Sequence, residues 1–454
     1  MKISNRRSIA GLILASIIIA FTISPQFRYI YSLPLHMSVL EGEKADFTVN
    51  FPLTVNIEDN RDRAIRLTGH RTSESVISRP VSLESLNRGK AKVDFKLLGL
   101  IPVRSVEVDV LPSLRIVPGG HSIGVVLQSQ GVIVVGFSPV LSNEDTYSTP
   151  AQEIGVSMGD VILSINGNPV QSDAQVADLI DSSGKEKIPV DLLIKRGGSR
   201  LHISVKPIMC KDTRRYRIGL FVRDSAAGVG TLTFYEPQTR SYGALGHIIT
   251  DNDTNQPIDC EQGKILLATV SGIQHGKRGH PGEKIGVFIE ETQLLGDIRK
   301  NTPFGIYGSL NSIIGNNLYE EALYVASMSQ IQLGAAEMLT VIDGQTIEKF
   351  HIEVQKVNYQ DQPEGKGLVI KVTDERLLEK TGGIVQGMSG SPIIQNGRIV
   401  GAVTHVFVHD PTRGYGCFID WMLMESGLVP KKEKQTARRL FSYCQMKFAV
   451  YLTA

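Results

Sequence analysis

The sequence predicts a mainly β protein built from several domains. Three observations carry this reading: a glycine-rich, aromatic-poor composition, many short apolar runs bounded by turn residues, and a serine loop followed by a hairpin signal. The 454 residues include 44 glycines and only 6% aromatics. That length suits two to four domains, and that composition suits turn-rich β structure better than helical bundles. A net charge of +2 gives no field for nucleic acid. The basic run Lys431, Lys432, Lys434, Arg438 and Arg439 reads as a solvated tail.

The N-terminus carries Lys2, Arg6 and Arg7 before the apolar run Ile9–Ile23. Fifteen residues fall short of the roughly 20 that span a bilayer. With no A-x-A site after it, residues 1–25 are expected to be an uncleaved membrane anchor, a cleaved signal being the competing reading. Basic residues ahead of the run orient the rest of the chain outside the cytoplasm.

Residues 34–110 alternate in apolar and polar character, as in Asp46–Ile57, Lys92–Leu97 and Val103–Val110, which predicts a small β module. Residues 111–208 contain Gly155–Val170, where Gly159-Asp160 precedes a strand and Asn166-Gly167 turns the chain back. A helical stretch, Asp173–Ile180, and a strand pair, Pro189–Val205, follow. This series resembles a PDZ domain of the type found in bacterial proteases. The resemblance places a peptide-terminus loop at Ser122, Ile123, Gly124 and Val125. Such a loop offers backbone N–H groups while the peptide adds a strand to the sheet edge.

Residues 209–428 alternate strand-like runs with turns: Arg217–Val222, Gly230–Phe234, Lys264–Val270, Lys284–Ile289, Met338–Ile342 and Gly367–Val372. Short strands at this spacing predict two small β-barrels in one unit. Residues 429–454 stay unassigned.

The chemistry concentrates in Gly387-Met388-Ser389-Gly390-Ser391-Pro392, which matches the nucleophile loop of trypsin-like serine peptidases. A serine hydroxyl becomes a nucleophile when a base removes its proton. Its attack creates an oxyanion that preorganised N–H donors receive, here those of Gly387 and Ser389. Glycines allow the tight turn this needs. Asn396-Gly397 between two apolar runs is a hairpin signal.

The base must be a histidine, held in the right tautomer by an acceptor. His247 closes a glycine-rich turn and enters an apolar stretch. His405 and His409 follow the serine too closely to be the base; His405 better suits the substrate cleft or a strand position. Asp374 ends an apolar strand beside the serine loop. It either reaches the imidazole or caps the helical turn Glu375–Glu379. Asp251, Asp253 and Asp343 are the alternatives, Asp343 better suiting a turn. Cys210, Cys260, Cys417 and Cys444 are scattered without metal-ligand spacing, so no metal and no cofactor are expected.

Together Gly246-His247, Thr373-Asp374 and Gly387–Pro392, behind a PDZ-like segment and one hydrophobic anchor, resemble the stage IV sporulation protein B peptidases. The resemblance implies a His247, Asp374, Ser389 triad in an exported, forespore-derived serine endopeptidase facing the intermembrane space. It further implies cleavage of a regulatory protein in a membrane-bound signalling complex, self-cleavage, and activation of a late sigma factor. The competing class is a non-catalytic adaptor, a PDZ module on a β fold kept for binding.

Overall fold

In the computed structural model the described residues are Gly11 and 35–430, except 51, 70–77, 112, 289–293 and 361. The anchor expected over residues 1–25 and nearly all of the 429–454 extension lie outside them. Among the described residues no helix is long and apolar enough to cross a membrane.

Residues 36–111 form the expected β module. Four strands pair in the order His36–Leu40, Ile101–Leu111, Gly89–Leu97, Leu53–Asp59, and a three-stranded sheet pairs Lys44–Asn50, Ser78–Ser85 and Ile65–Gly69. Val39, Leu83, Val93, Phe95 and Val108 form a core of their own.

Two long strands build the middle of the molecule. Strand β1, Ser122–Phe137, runs antiparallel to β2, Leu220–Tyr235, over almost its whole length. The far halves, Ile133–Phe137 and Leu220–Arg223, belong to the PDZ-like unit. The near halves belong to the peptidase unit, so each strand spans both units and the boundary drawn at residue 208 does not separate them. At Gly131 strand β1 exchanges its outer neighbour, from Cys260–Leu267 to Val161–Ile165. A Cβ there would lie 2.4 Å from the Ile162 carbonyl oxygen, and β2 is bulged between Arg223 and Ser225. A bulge with glycine is a standard way to bend a strand from one sheet into the next.

Helix α1, Asp173–Lys185, covers the PDZ-like sheet. Ser172 caps it by accepting from the Gln175 N–H, and Val176 and Ile180, one turn apart, face the core. The Gly159-Asp160 signal has a physical basis. Buried Asp160 accepts two hydrogen bonds of 2.7 Å from the Arg196 guanidinium and one from the Ser157 N–H.

Ser122, Ile123, Gly124 and Val125 do not form a peptide-terminus loop. They are the first residues of β1, buried and paired on both sides: Gly124 lies opposite Val229 on β2 and opposite Leu266 of the Cys260–Leu267 strand. The same apolar run that resembles a binding loop is long enough to be a central strand, which commits its N–H groups to the ladder.

Strand β3, Glu283–Val287, pairs with Thr269–Gln274. Beyond it, six strands close a barrel in the order Gly334–Val341, Ile347–Val357, Leu368–Val372, Asp410–Phe418, Arg398–Phe407, Pro392–Gln395. Asn396 and Gly397 both have positive φ, 52° and 72°, as the predicted two-residue hairpin requires. Among the described residues this is the one barrel that closes. The first half of the peptidase unit is instead part of the 13-stranded sheet carrying β1 and β2, because those strands continue into the PDZ-like unit. Helix α2, Glu375–Thr381, leads from the barrel to the serine loop.

Candidate active site

Ser389 sits half-buried in the loop between α2 and the Pro392–Gln395 strand. The loop is wedged against β2. Thr231 N–H donates to the Ser389 carbonyl (3.0 Å), and Gly390 N–H donates to Val403 (2.8 Å). A Cβ on Gly390, whose φ is +94°, would lie 2.1 Å from the Thr231 carbonyl oxygen and 2.4 Å from Leu245 N, so only glycine fits. Among the described residues neither the Gly387 N–H nor the Ser389 N–H has a hydrogen-bond partner. Those are the two donors assigned to the oxyanion. The Ser389 hydroxyl donates to the Thr404 carbonyl at 2.8 Å.

His247 follows a strand, Ser241–Ala244, and the turn Leu245-Gly246. Its ring lies 5.0 Å, centroid to centroid, from that of His405, the residue next to Thr404. The structure thus gathers His247, His405 and the Thr404 carbonyl that holds the serine, but the Ser389 hydroxyl does not bond to His247. Nδ1 of His247 lies 2.8 Å from the carbonyl oxygen of the following residue, Ile248. A carbonyl only accepts, so Nδ1 carries the proton and Nε2 keeps its lone pair, the tautomer a general base needs. Burial lowers the His247 pKa from its ordinary value, against the opposing pull of the Ile248 carbonyl, which keeps the imidazole neutral. His405 is pushed down to about 4 by burial, the neighbouring His247 and Lys366.

Asp374 is placed elsewhere in the hydrogen-bond network. It is the N-cap of α2, accepting from Arg376 N–H (3.1 Å) and Leu377 N–H (3.4 Å). Its other oxygen meets the backbone N–H (3.2 Å) and Nδ1 (3.3 Å) of His351. Burial alone would raise its pKa. The donors from His351 and Arg376 outweigh burial and hold the carboxyl below the usual range. In this arrangement the orienting acceptor of His247 is the Ile248 carbonyl, and Asp374 plays the capping part. Asp251 is tied to Arg223 (2.7 Å) and Thr254, Asp253 also pairs with Arg223, and Asp343 is exposed in a hairpin turn. None of the three bonds to His247. Asparagine caps helices as well as aspartate does. Asp374→Asn keeps one capping acceptor but turns an amide NH2 toward the His351 N–H, so it is expected to cost about 1–3 kcal/mol of stability and less than about tenfold in kcat, not the roughly 10⁴-fold of a mis-set tautomer. Kinetics of the purified variant check this, and a loss near the larger figure would mean that the reacting state brings Asp374 to the imidazole.

One participant carried no recognisable sequence signal. Lys284, on β3, is 1% exposed and lies under Gly387. No carboxylate among the described residues pairs with it, and burial pulls its pKa down to about 7.

Residues 214–423 match the family model described as SpoIVB peptidase S55, and residues 148–194 match a PDZ domain. The first match covers just under half of the chain, which is similar there to the SpoIVB peptidases. Among curated proteins, the serine protease HTRA1 of Xenopus tropicalis is 44% identical over 59 residues, 13% of this chain and 12% of that one. The regulator of sigma-W protease RasP of Bacillus subtilis is 35% identical over 71 residues, 16% of each. The chain thus spans well under a fifth of the length of these relatives. Among solved structures, the active form of the Rv3671c protease from M. tuberculosis aligns with 44% of this chain and 75% of its own, at 14% identity and a TM-score of 0.26. The PDZ domain of the SdrC-like protein Lmo2051 from Listeria monocytogenes aligns with 20% of this chain and 87% of its own, at 24% identity and a TM-score of 0.16.

Proposed function

We propose that this SpoIVB-like chain is an exported, membrane-anchored endopeptidase that cleaves a regulatory membrane protein, and itself, in sporulation signalling toward a late sigma factor. The single observation that carries the peptidase chemistry is the serine loop: an activatable hydroxyl beside two N–H donors that no described residue uses. Ser389 Oγ turns from the Thr404 carbonyl toward His247, a rotation about one side-chain bond. Unassembled geometry of this kind is common in free enzymes and tightens when substrate binds. Oγ then attacks the scissile carbonyl carbon while its proton passes to His247 Nε2. The oxyanion is received by the Gly387 and Ser389 N–H groups. His247 gives the proton to the leaving amine, and water, deprotonated by the same imidazole, hydrolyses the acyl-enzyme. No metal or cofactor enters these steps.

Substrate selection belongs to the PDZ-like unit in this reading, at a different place from residues 122–125. A cavity of about 490 Å³ lies between α1 and the start of β2, lined by Leu141, Ala177, Ile180, Ile218, Leu220 and Phe221. Leu220–Val222 pair with β1 on one side and with no described strand on the other. An extended peptide end can add along that edge and place apolar side chains in the cavity. Ala177→Glu, a charge on the exposed face of α1, should leave cleavage of a short generic peptide unchanged while slowing cleavage of the membrane-bound partner. Equal losses on both substrates would show that the groove controls the active site rather than docking alone. The chemistry itself is tested by treating the purified chain with a fluorophosphonate and mapping the adduct. Attachment at Ser389, absent from Ser389→Ala, is the expected result. A different modified residue, or none, would overturn the reading.

A further inference from the structure

Lys284 is an anomaly of burial. Strand β3 alternates, but against expectation: Lys284 is 1% exposed, whereas Ile285 and Val287 are each 55% exposed. Turning the strand over would bury two β-branched side chains and free an ammonium group, so hydrophobic burial does not explain the orientation. The lysine instead serves polar neighbours. Its Nζ lies 2.7 Å from the Thr340 hydroxyl and 3.5 Å from the Thr231 hydroxyl. The Thr231 hydroxyl in turn donates to the Gly387 carbonyl at 2.8 Å.

The position of that carbonyl matters. In a trans peptide the N–H points opposite the C=O of the same plane. The Gln386 carbonyl, which shares a plane with the Gly387 N–H, accepts from the Lys284 backbone N–H at 2.9 Å. The Met388 carbonyl, which shares a plane with the Ser389 N–H, accepts from Ser391 N–H at 3.0 Å. The peptide between them is held at both ends: the Met388 N–H donates to the Val385 carbonyl at 3.1 Å, and the Gly387 carbonyl accepts from a side chain, Thr231. The lysine stem also packs beneath Gly387, its Cβ 3.0 Å from where a Cβ would stand on that glycine.

We propose that Lys284 and Thr231 form a positioning relay beneath the serine loop. Lys284 donates to the Thr231 hydroxyl, which leaves that hydroxyl's own hydrogen for the Gly387 carbonyl, and the loop is thereby held with both oxyanion donors converging. Neither residue touches substrate, and the relay presupposes the serine-peptidase reading. An ammonium and a neutral amine both have hydrogens to donate, so the relay holds through the titration of Lys284.

The test uses Thr231→Val, which keeps the side-chain shape without the hydroxyl, Thr231→Ser, which keeps the hydroxyl, and Lys284→Met. Thr231→Val should lower kcat by at least about tenfold, short of the roughly 10²–10³-fold of deleting an oxyanion donor outright, with KM within about twofold. Thr231→Ser should recover most of that loss, and Lys284→Met should act like Thr231→Val. Affinity for a peptide boronate, which forms a tetrahedral adduct on the serine, should fall by the same factor as kcat/KM, while affinity for a cleaved product peptide stays unchanged. Wild-type kcat in Thr231→Val, a loss that Thr231→Ser does not recover, or parallel changes in KM and product affinity would overturn the relay. Should Lys284→Met fail to fold, the two Thr231 variants decide alone. Failure of the wild-type chain to react with the boronate would sink the serine-peptidase reading instead, a separable outcome.

Discussion

Ser389→Ala is expected to abolish peptide-bond cleavage, a loss on the order of 10⁶ in kcat if the residues act as a unit. The fold should survive. The side chain is small and half-buried, and its hydroxyl makes one hydrogen bond, to the Thr404 carbonyl, a contact worth about 1 kcal/mol. Ser391 is the control within the same motif. It is fully buried and its hydroxyl has no partner among the described residues, so Ser391→Ala should keep substantial activity. Cleavage assays on both variants, with thermal melts alongside, check the pair. An inactive Ser391→Ala with an active Ser389→Ala would mean that the motif has been read two residues out of register.

His247→Ala should cost nearly as much as loss of the serine, because the remaining hydroxyl has no base. The pH profile carries the finer information. Only neutral imidazole accepts the serine proton, so activity falls as pH drops through the His247 pKa. Burial lowers that pKa from the ordinary 6.5, so the acid limb of kcat/KM should lie below about pH 6.5. Burial, the neighbouring His247 and Lys366 push His405 down to about 4, and His405→Asn should leave an acid limb in place. A profile that stays flat to pH 4 in the wild-type chain would remove His247 from the role of base.

The features legible in the sequence are those whose physics is local. Gly387–Pro392 declares a serine loop because glycine must occupy the tight turn. Asn396-Gly397 declares a hairpin because both residues accept positive φ, and the structure has them there. Asp173–Ile180 reads as a helical stretch, and a helix stands there, Asp173–Lys185. Each signal lies within a dozen residues of the element it specifies.

Tertiary structure alone decided the rest, because the deciding partners lie far away in the chain. Ser122–Val125 has the same residues whether it forms a loop or a strand; pairing with β2 and with Cys260–Leu267 settles it as a strand. Asp374 was open between a helix cap and a triad acid, and the fold placed His351 and the α2 N–H groups against it. Lys284 reads in sequence as the solvent-facing member of Glu283–Val287. The fold turns it inward because its hydrogen-bond partners, Thr231 and Thr340, come from two other strands 53 and 56 residues away. A hydrogen bond between side chains so separated leaves no periodic trace, and hydrophobic alternation, the one trace available, points the wrong way.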